Sequence, residues 1–270
     1  MARNSLKNVC RLIQEATTQL PIEQSFLADL KRSIEMTDKA NRRMPSQTYK
    51  PSSMNCIRNM YYQRIGESLD EGESSYTIVG ICNSGSDIHQ RVQQSVLDMS
   101  KNDMDCEYVN VADFVRQRNL TDLEIVKEPN FEQRDYETKL FHKTLNMSFL
   151  CDGIIRYQGK YYILELKTES SSKWMTRKGV DPKHCAQATA YSLSFKIDGV
   201  VFVYISRDVL DMKAYLFEPT DEMKSELVGK ISNCDNYIAN NIVPPKPTDL
   251  PRVVCEYCAY KTACRRDDNG

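Results

Sequence analysis

The segment FLCDGIIRYQGKYYILELK, residues 149–167, restricts the possible folds of this chain more than any other feature. Two apolar runs flank Gln158-Gly159, and this pattern predicts an antiparallel β-hairpin with a two-residue turn. In that register Tyr157 faces Lys160. Strands as apolar as these are usually buried, so the hairpin predicts a fold organised around a β-sheet.

The hairpin carries charged side chains where its apolar runs end. In the predicted register Asp152 lies directly across from Glu165, with the Cβ atoms about 5 Å apart, where two negative charges repel each other. A divalent cation between them reverses this effect, because carboxylate oxygens are ligands that Mg²⁺ and Mn²⁺ prefer. Lys167 projects from the same face as Glu165 and can hold a phosphate oxygen or orient a water. The alternative is a hairpin whose alternating charges simply face solvent.

The rest of the pattern predicts an α/β fold with a mixed central sheet flanked by helices. We expect a helical extension over residues 1–50 and one main domain over 51–270. Helices are predicted at 5–20, 22–43, 57–66, 86–100, 182–196 and 221–241. Strands are predicted near 123–131, 136–142, 147–157, 161–168, 200–206 and 213–219.

Composition excludes some classes of function. The formal net charge is −1, so any nucleic-acid binding must come from local basic patches rather than a global positive field. No apolar stretch is long enough to cross a bilayer, and the N-terminus lacks the apolar core of a signal peptide. We therefore expect a cytoplasmic protein that has no membrane partner. If the protein is viral, the expected compartment is the cytoplasm of the host cell. Thiols stay reduced in that compartment.

The spacing of the cysteines indicates a metal site. The chain has 10 cysteines, and Cys255, Cys258 and Cys264 form a C-x2-C-x5-C pattern that can bring three thiolates to one metal centre. Cys56 is the best candidate for a fourth ligand. Either Zn²⁺ or an iron–sulfur cluster suits such a set. The other cysteines are interpreted as apolar residues: Cys10, Cys82, Cys106, Cys151, Cys185 and Cys234.

Histidines and Trp174 are less distinctive. His89 lies at the edge of the apolar stripe of its predicted helix, where a core role competes with a ligand role, and a neutral imidazole suits Mn²⁺. His142 and His184 are interpreted as structural. Trp174 follows the second strand of the hairpin and either stacks on a base or packs against the protein.

Taken in order, these motifs resemble the RecB-type branch of the PD-(D/E)XK nuclease superfamily. The chain is similar to its iron–sulfur members, such as the AddB nuclease domain and the CRISPR-associated exonucleases, over about residues 50–265. The superfamily's proline is replaced by Cys151, and Glu128 is a candidate for its upstream acid. The matching motifs are Cys56 with Arg58 and Tyr61-Tyr62, His89 in GSDIHQ, Asp152, Glu165-Leu166-Lys167, Gln187 to Tyr191 in QATAY, and the last three cysteines.

The resemblance implies a restriction-endonuclease-like core and an Mg²⁺- or Mn²⁺-dependent DNA exonuclease. Its substrate would be DNA with free ends or single strands, in recombination, repair or replication, and its candidate partner would be a recombination or helicase protein. Asp152, Glu165 and Lys167 would be catalytic. Gln187 and Tyr191 would position DNA. The metal ligands would be His89, Asp152, Glu165 and the Leu166 carbonyl, and a 4Fe–4S cluster would be held by Cys56, Cys255, Cys258 and Cys264.

Two other functions fit the same motifs. One is a non-catalytic DNA-end-binding or scaffold subunit that retains the iron–sulfur fold. Intact Asp152, Glu165 and Lys167 argue against it, since degenerate members usually lose one of them. The other is an endonuclease with a zinc site in place of the cluster.

Overall fold

A computed structural model of the chain describes residues 21–41, 46–70, 75–248, 250 and 252–268. The predicted helix over 5–20 lies outside these residues. The chain divides into two compact units, one formed by Met1–Arg43 and Glu73–Cys82 and the other by Met44–Gly72 and Asn83–Gly270. Every candidate functional residue described below belongs to the second unit.

Five of the predicted helices are present in the predicted order, and the structure adds four short ones among the described residues, at Val111–Gln117, Ser171–Thr176, Arg252–Glu256 and Lys261–Arg266. The helices in the described residues are α1 (Ile22–Ala40), α2 (Ile57–Ile65), α3 (Tyr76–Met99), α4 (Val111–Gln117), α5 (Ser171–Thr176), α6 (Pro182–Phe195), α7 (Asp221–Ala239), α8 (Arg252–Glu256) and α9 (Lys261–Arg266). None of these helices combines the length and the apolar content that a membrane span requires.

The strands form two sheets. They are β1 (Cys106–Val109), β2 (Leu123–Lys127), β3 (Thr138–His142), β4 (Met147–Cys151), β5 (Gly153–Tyr157), β6 (Lys160–Glu169), β7 (Val200–Ser206) and β8 (Met212–Phe217). A five-stranded sheet has the order β1-β5-β6-β7-β8, and a three-stranded sheet has the order β2-β3-β4. Only the β6–β7 pair is parallel among the described strands. The predicted α/β class with a mixed sheet is therefore confirmed.

The predicted hairpin is formed by β5 and β6. Tyr157 pairs with Lys160 as expected, and the turn residues Gln158 and Gly159 have φ of 51° and 77°. Positive φ at both positions is typical of a type I′ turn, whose twist matches that of the flanking strands. The register of the catalytic candidates is thus set by the turn.

The prediction of one strand over 147–157 was wrong, because the chain changes sheets at Asp152. β4 ends at Cys151 in the three-stranded sheet, and β5 begins at Gly153 in the five-stranded one. A Cβ on Gly153 would lie 2.7 Å from the Tyr108 ring, so this corner requires glycine. The Tyr108 hydroxyl and the Gln93 amide both donate to the Asp152 carbonyl, at 2.7 and 2.6 Å.

Helix α3 begins earlier than predicted. The sequence indicated an N-cap at Ser86 or Asp87, but the helix starts at Tyr76 and continues through this region. A Cβ on Gly85 would lie 3.2 Å from the Thr168 hydroxyl oxygen. Glycine costs a helix interior about 1 kcal/mol relative to alanine, and here it allows α3 to approach β6 closely.

Strand β6 separates the two packed layers. Leu164 and Leu166 belong to an apolar cluster with Ile88 and Val92 of α3. Ile163 belongs to the larger core that also contains residues of α6 and β7. Because successive strand residues point to opposite faces, the odd-numbered charged residues of β6 lie on the α6 side.

Candidate active site and cysteine cavity

Asp152 lies at the corner between the two sheets, and its carboxylate is buried. Its Oδ2 accepts a hydrogen bond of 2.7 Å from the Leu166 backbone N–H, and its Oδ1 lies 3.6 Å from His89 Nδ1. Burial by itself would raise the pKa of Asp152, but His89, Lys167 and the Leu166 N–H hold that pKa below its ordinary value. Asp152 is therefore a buried carboxylate kept ionised by its neighbours.

The Asp152 carboxylate is one of a group of three possible metal ligands. Among the described residues, His89, Glu137 and Asp152 are the one set of three or more such side chains with ligand atoms all within 4.8 Å of one another. Burial and the charge of Asp152 raise the pKa of Glu137. Burial disfavours the charged form of His89, yet its hydrogen bond with Asp152 raises the pKa of the imidazole. These two oxygen donors and one nitrogen donor suit Mg²⁺ or Mn²⁺.

Glu137 was missed by the sequence analysis. It directly precedes β3, and the only signal was its position just upstream of the strands that lead to Asp152. Glu128, the acid considered instead, pairs with Arg116 and about half of its side chain is exposed. Glu128 lies among exposed surface charges, whereas Glu137 lies at the corner beside His89 and Asp152.

Glu165 and Lys167 form a second group on the face of β6 toward α6. Lys167 Nζ donates to Glu165 Oε1 at 2.5 Å and to Gln187 Oε1 at 3.1 Å. Gln187 Nε2 donates to the same Glu165 oxygen at 2.6 Å. Gln187 therefore contacts both predicted catalytic side chains of β6, with the orientation of each set by hydrogen bonds.

Burial raises the pKa of Glu165 to about 7, although Lys167 opposes the shift and Asp152 adds to it. The predicted cross-strand pair of Asp152 and Glu165 is not part of the β-ladder, whose last pair is Gly153 with Leu164. The two carboxylates still interact electrostatically at the end of the hairpin. Their pKa values are shifted in opposite directions, because burial dominates at Glu165 whereas His89, Lys167 and the Leu166 N–H outweigh burial at Asp152.

The side chains of Tyr191 and Leu166 are both buried. The Tyr191 hydroxyl donates to the Leu150 carbonyl at 2.9 Å, accepts from Gln187 Nε2 at 2.9 Å, and the side chain is buried. Its surroundings suit the support of Gln187 rather than direct contact with DNA. The Leu166 side chain is buried on the α3 side, and its backbone N–H holds Asp152.

Trp174 and His184 contact other residues of the protein core. Trp174 packs against the main core, its Nε1 donates to the Tyr204 carbonyl at 3.1 Å, and Lys213 lies over its ring. Base stacking by this ring is therefore not what the structure favours. His184 Nδ1 lies 2.9 Å from the Tyr204 hydroxyl, and burial together with nearby Lys167 lowers the pKa of His184 to about 3.

The four cysteines predicted as ligands line one cavity. Cys56, at the start of α2, faces the C-terminal segment that carries Cys255, Cys258 and Cys264, across a cavity of about 590 Å³. Burial raises the pKa of the Cys56 and Cys258 thiols, so a metal bound here would release protons from them. The structure thus brings together residues from the two ends of the second unit.

Hydrogen-bond donors point at two of these sulfur atoms. Arg58 Nη1 lies 3.3 Å from Cys264 Sγ, and Cys258 Sγ accepts from Asn59 Nδ2 at 3.6 Å and from the Tyr260 N–H at 3.5 Å. Such donors are typical of the surroundings of ligating thiolates and tune iron–sulfur clusters. The donor set and its surroundings fit a thiolate-bound metal centre.

Polar contacts also hold the C-terminal segment against α2 and the loop after it. Arg58 forms an ion pair with Asp268, and the Tyr62 hydroxyl donates to Asp267 at 2.8 Å. The Asp70 carboxylate accepts from the Thr262 N–H at 3.0 Å. These contacts position the cysteine-bearing helices without using the thiols.

Comparisons with known proteins do not identify a family. No family model matches the chain, and neither does any curated protein. The crystal structure of SSO0001 is similar with 16% identity and a TM-score of 0.46, over 88% of this chain and 96% of that one. The crystal structure of LHK-Exo in complex with dAMP is similar with 12% identity and a TM-score of 0.37, over 73% and 90%. At these values neither similarity decides a function.

Proposed function

We propose that this protein is a metal-dependent nuclease that hydrolyses phosphodiester bonds in DNA, of the RecB type that its motifs resemble. The observation that carries the proposal is the corner at Asp152. There, three ligand side chains with atoms within 4.8 Å of one another lie beside the Leu166 N–H. The acid–lysine pair of Glu165 and Lys167 is carried on the same strand as that N–H. Metal-assisted hydrolysis of a phosphodiester requires ligands that hold the metal ion next to the scissile phosphate. A lysine beside those ligands can neutralise further charge on the phosphate.

The proposed metal ligands are His89, Asp152, Glu165 and the Leu166 carbonyl, with Glu137 added from the structure. These residues would hold Mg²⁺ or Mn²⁺, and the bound ion would supply activation of a water and neutralisation of charge on the phosphate. The ligand atoms of His89, Glu137 and Asp152 all lie within 4.8 Å of one another. His89 lies on α3, and Glu137 and Asp152 directly adjoin strands, which favours an accurate geometry.

The other polar residues act on substrate and on side-chain orientation. Lys167 is the cation available to the non-bridging phosphate oxygens, where negative charge grows in the transition state. Gln187 holds Glu165 and Lys167 through hydrogen bonds of 2.6 and 3.1 Å. Tyr191 fixes Gln187 in turn.

For the cysteine cavity we propose a 4Fe–4S cluster bound by Cys56, Cys255, Cys258 and Cys264. The donors at the Cys264 and Cys258 sulfurs support this choice, because hydrogen bonds to sulfur tune such clusters. The cluster would join the two ends of the domain.

The direct test is a cleavage assay with Mn²⁺ or Mg²⁺ on single-stranded, duplex and closed circular DNA. We expect loss of linear DNA from its ends, no cleavage of closed circles, and no activity in a chelator. Cleavage of closed circles would identify an endonuclease. Binding to DNA ends without cleavage under any divalent metal would reject the nuclease and favour the scaffold subunit.

Replacing Gln187 by Ala should lower the cleavage rate by about 10- to 100-fold, because Glu165 and Lys167 lose their shared partner. Since Gln187 is not a proposed ligand, Mn²⁺ affinity measured by calorimetry should fall much less than it does in Glu165→Gln. Gln90→Ala, at an exposed position of α3, is the matched control. A loss of Mn²⁺ binding as large as that of Glu165→Gln would show that Gln187 is itself a ligand.

Metal binding should weaken as the pH falls below neutrality. The pKa of Glu165 is raised to about 7, and a carboxyl group must lose its proton before it binds a metal. Below that pH, protons compete with Mn²⁺, so affinity should drop by up to about tenfold per pH unit, with proton release on binding. Calorimetry near pH 6 and pH 8 in buffers of different ionisation enthalpy measures both quantities. Equal affinity at the two pH values would contradict the prediction.

A further inference from the structure

Glu169 continues the line of charged residues on the α6 face of β6, and its partner is Arg177. Its carboxylate accepts two hydrogen bonds from Arg177, from Nε at 2.6 Å and from Nη2 at 2.7 Å. Both side chains are buried, with 7% of Glu169 and 6% of Arg177 exposed. The Arg177 guanidinium also lies 3.9 Å from the centre of the Tyr204 ring. We call this pair the Glu169–Arg177 clamp.

A buried ion pair is weak evidence for stability, because apolar residues of similar size often serve as well. The clamp is more informative about the position of the segment that carries Arg177 than about stability. Its guanidinium is planar and makes two parallel bonds, so it fixes the direction as well as the distance of its partner. The Arg177 backbone carbonyl accepts from the Tyr215 hydroxyl at 3.0 Å, which anchors the same residue to β8.

From Arg177 the contacts lead to the first turn of α6. Arg177 Nη2 lies 3.4 Å from Asp181 Oδ2, and Lys173 Nζ donates to that oxygen at 2.8 Å. Asp181 is the N-cap of α6: its Oδ1 accepts from the Lys183 N–H at 3.2 Å. The Asp181 N–H donates to the Tyr204 hydroxyl at 3.0 Å. The start of the helix is thus tied to β6 and β7.

Helix α6 then brings Gln187 to Glu165 and Lys167. We propose that Glu169 and Arg177 are positioning residues, which set the first turn of α6 so that Gln187 meets both side chains. This inference rests on the proposed nuclease function. Small displacements of a group beside the reacting atoms, of about 1 Å, can lower a rate by roughly 100-fold.

The test uses Arg177→Lys in the full chain. Lysine keeps the charge but cannot make two parallel bonds to a carboxylate. We expect faster amide hydrogen exchange at Lys183 and His184 and a kcat lower by about 10- to 100-fold, no more than in Gln187→Ala, with KM for DNA nearly unchanged. Arg116→Lys, the same substitution in an exposed ion pair with Glu128, should change neither quantity. If Arg177→Lys does not fold, Glu169→Gln is measured in the same way.

A double variant separates positioning from general destabilisation. Because the clamp is proposed to act through Gln187, Arg177→Lys should lower kcat no further in a Gln187→Ala background. A full additional loss in that background would overturn the inference, and so would unchanged exchange at Lys183 and His184 in the single variant. Amide exchange needs no catalysis. An inactive wild type would therefore reject the proposed function, while the exchange result would still decide on the clamp.

Discussion

Replacing Asp152 by Asn is expected to lower the rate of metal-dependent DNA cleavage by about 1,000-fold or more. The substitution removes the carboxylate that lies within 4.8 Å of the ligand atoms of His89 and Glu137 and that accepts a hydrogen bond from the Leu166 N–H. Glu165→Gln should have a comparable effect, and Lys167→Met should cost about 100- to 1,000-fold through the loss of the cation beside the phosphate. Each rate is measured with saturating Mn²⁺ on end-labelled DNA.

Folding controls decide how these losses are interpreted. Glu165 is buried with a raised pKa, so the neutral Glu165→Gln should unfold at the same temperature as the wild type or a higher one in the absence of metal. Glu124→Gln, at an exposed position of β2, is the matched control for removing a carboxylate from a strand. Wild-type rates in any of the three variants, with contaminating nuclease excluded, would show that the assigned site is wrong.

The parts of the fold that local pattern determines could be predicted from sequence. The β5–β6 register follows from the Gln158-Gly159 turn, whose two positive φ angles fix which residues face each other. Helix α6 follows from Asp181-Pro182, an N-cap and a first-turn proline. Both signals lie within a few residues of the structure they specify.

The parts that distant residues determine could not be predicted in this way. The break at Asp152 depends on Tyr108 and Gln93, which donate to its carbonyl from β1 and α3. Glu137 joins the ligand group because β3 pairs with β4, and their last pair, Thr138 with Cys151, leaves Glu137 opposite Asp152. Without the sheet change at Asp152, the sequence pattern places this residue only in the β5–β6 hairpin, so the pattern identified the acids of that hairpin and missed the acid of the preceding one.

The cysteine cavity is where the second large effect is expected. Serine in place of any of Cys56, Cys255, Cys258 or Cys264 should remove iron, acid-labile sulfide and brown colour together. The reason is that one cluster needs all of its ligands, and the free energy of ligation is also folding free energy when the unfolded chain has no site. Iron and sulfide per chain after anaerobic purification measure the effect.

These variants should be less stable and less soluble, but not unfolded. Three contacts that use no thiol remain: Arg58 with Asp268, Tyr62 with Asp267, and Asp70 with the Thr262 N–H. We therefore expect a lower unfolding temperature and faster proteolysis of the C-terminal segment, with the β-sheet signal in circular dichroism retained. Complete loss of that signal would show that the cluster, and not the polar contacts, holds the ends together.

Two other cysteines serve as matched controls for the cluster. Cys82 is exposed and Cys234 is buried, and neither lines the cavity, so Cys82→Ser and Cys234→Ser should keep the full iron content. Cys234→Ser also shows how much stability is lost when a buried thiol is replaced without loss of a ligand. Full iron in Cys56→Ser would mean that the metal centre does not reach α2. Zinc in place of iron in the anaerobic wild type would exclude the cluster and identify a zinc site held by the same four thiolates.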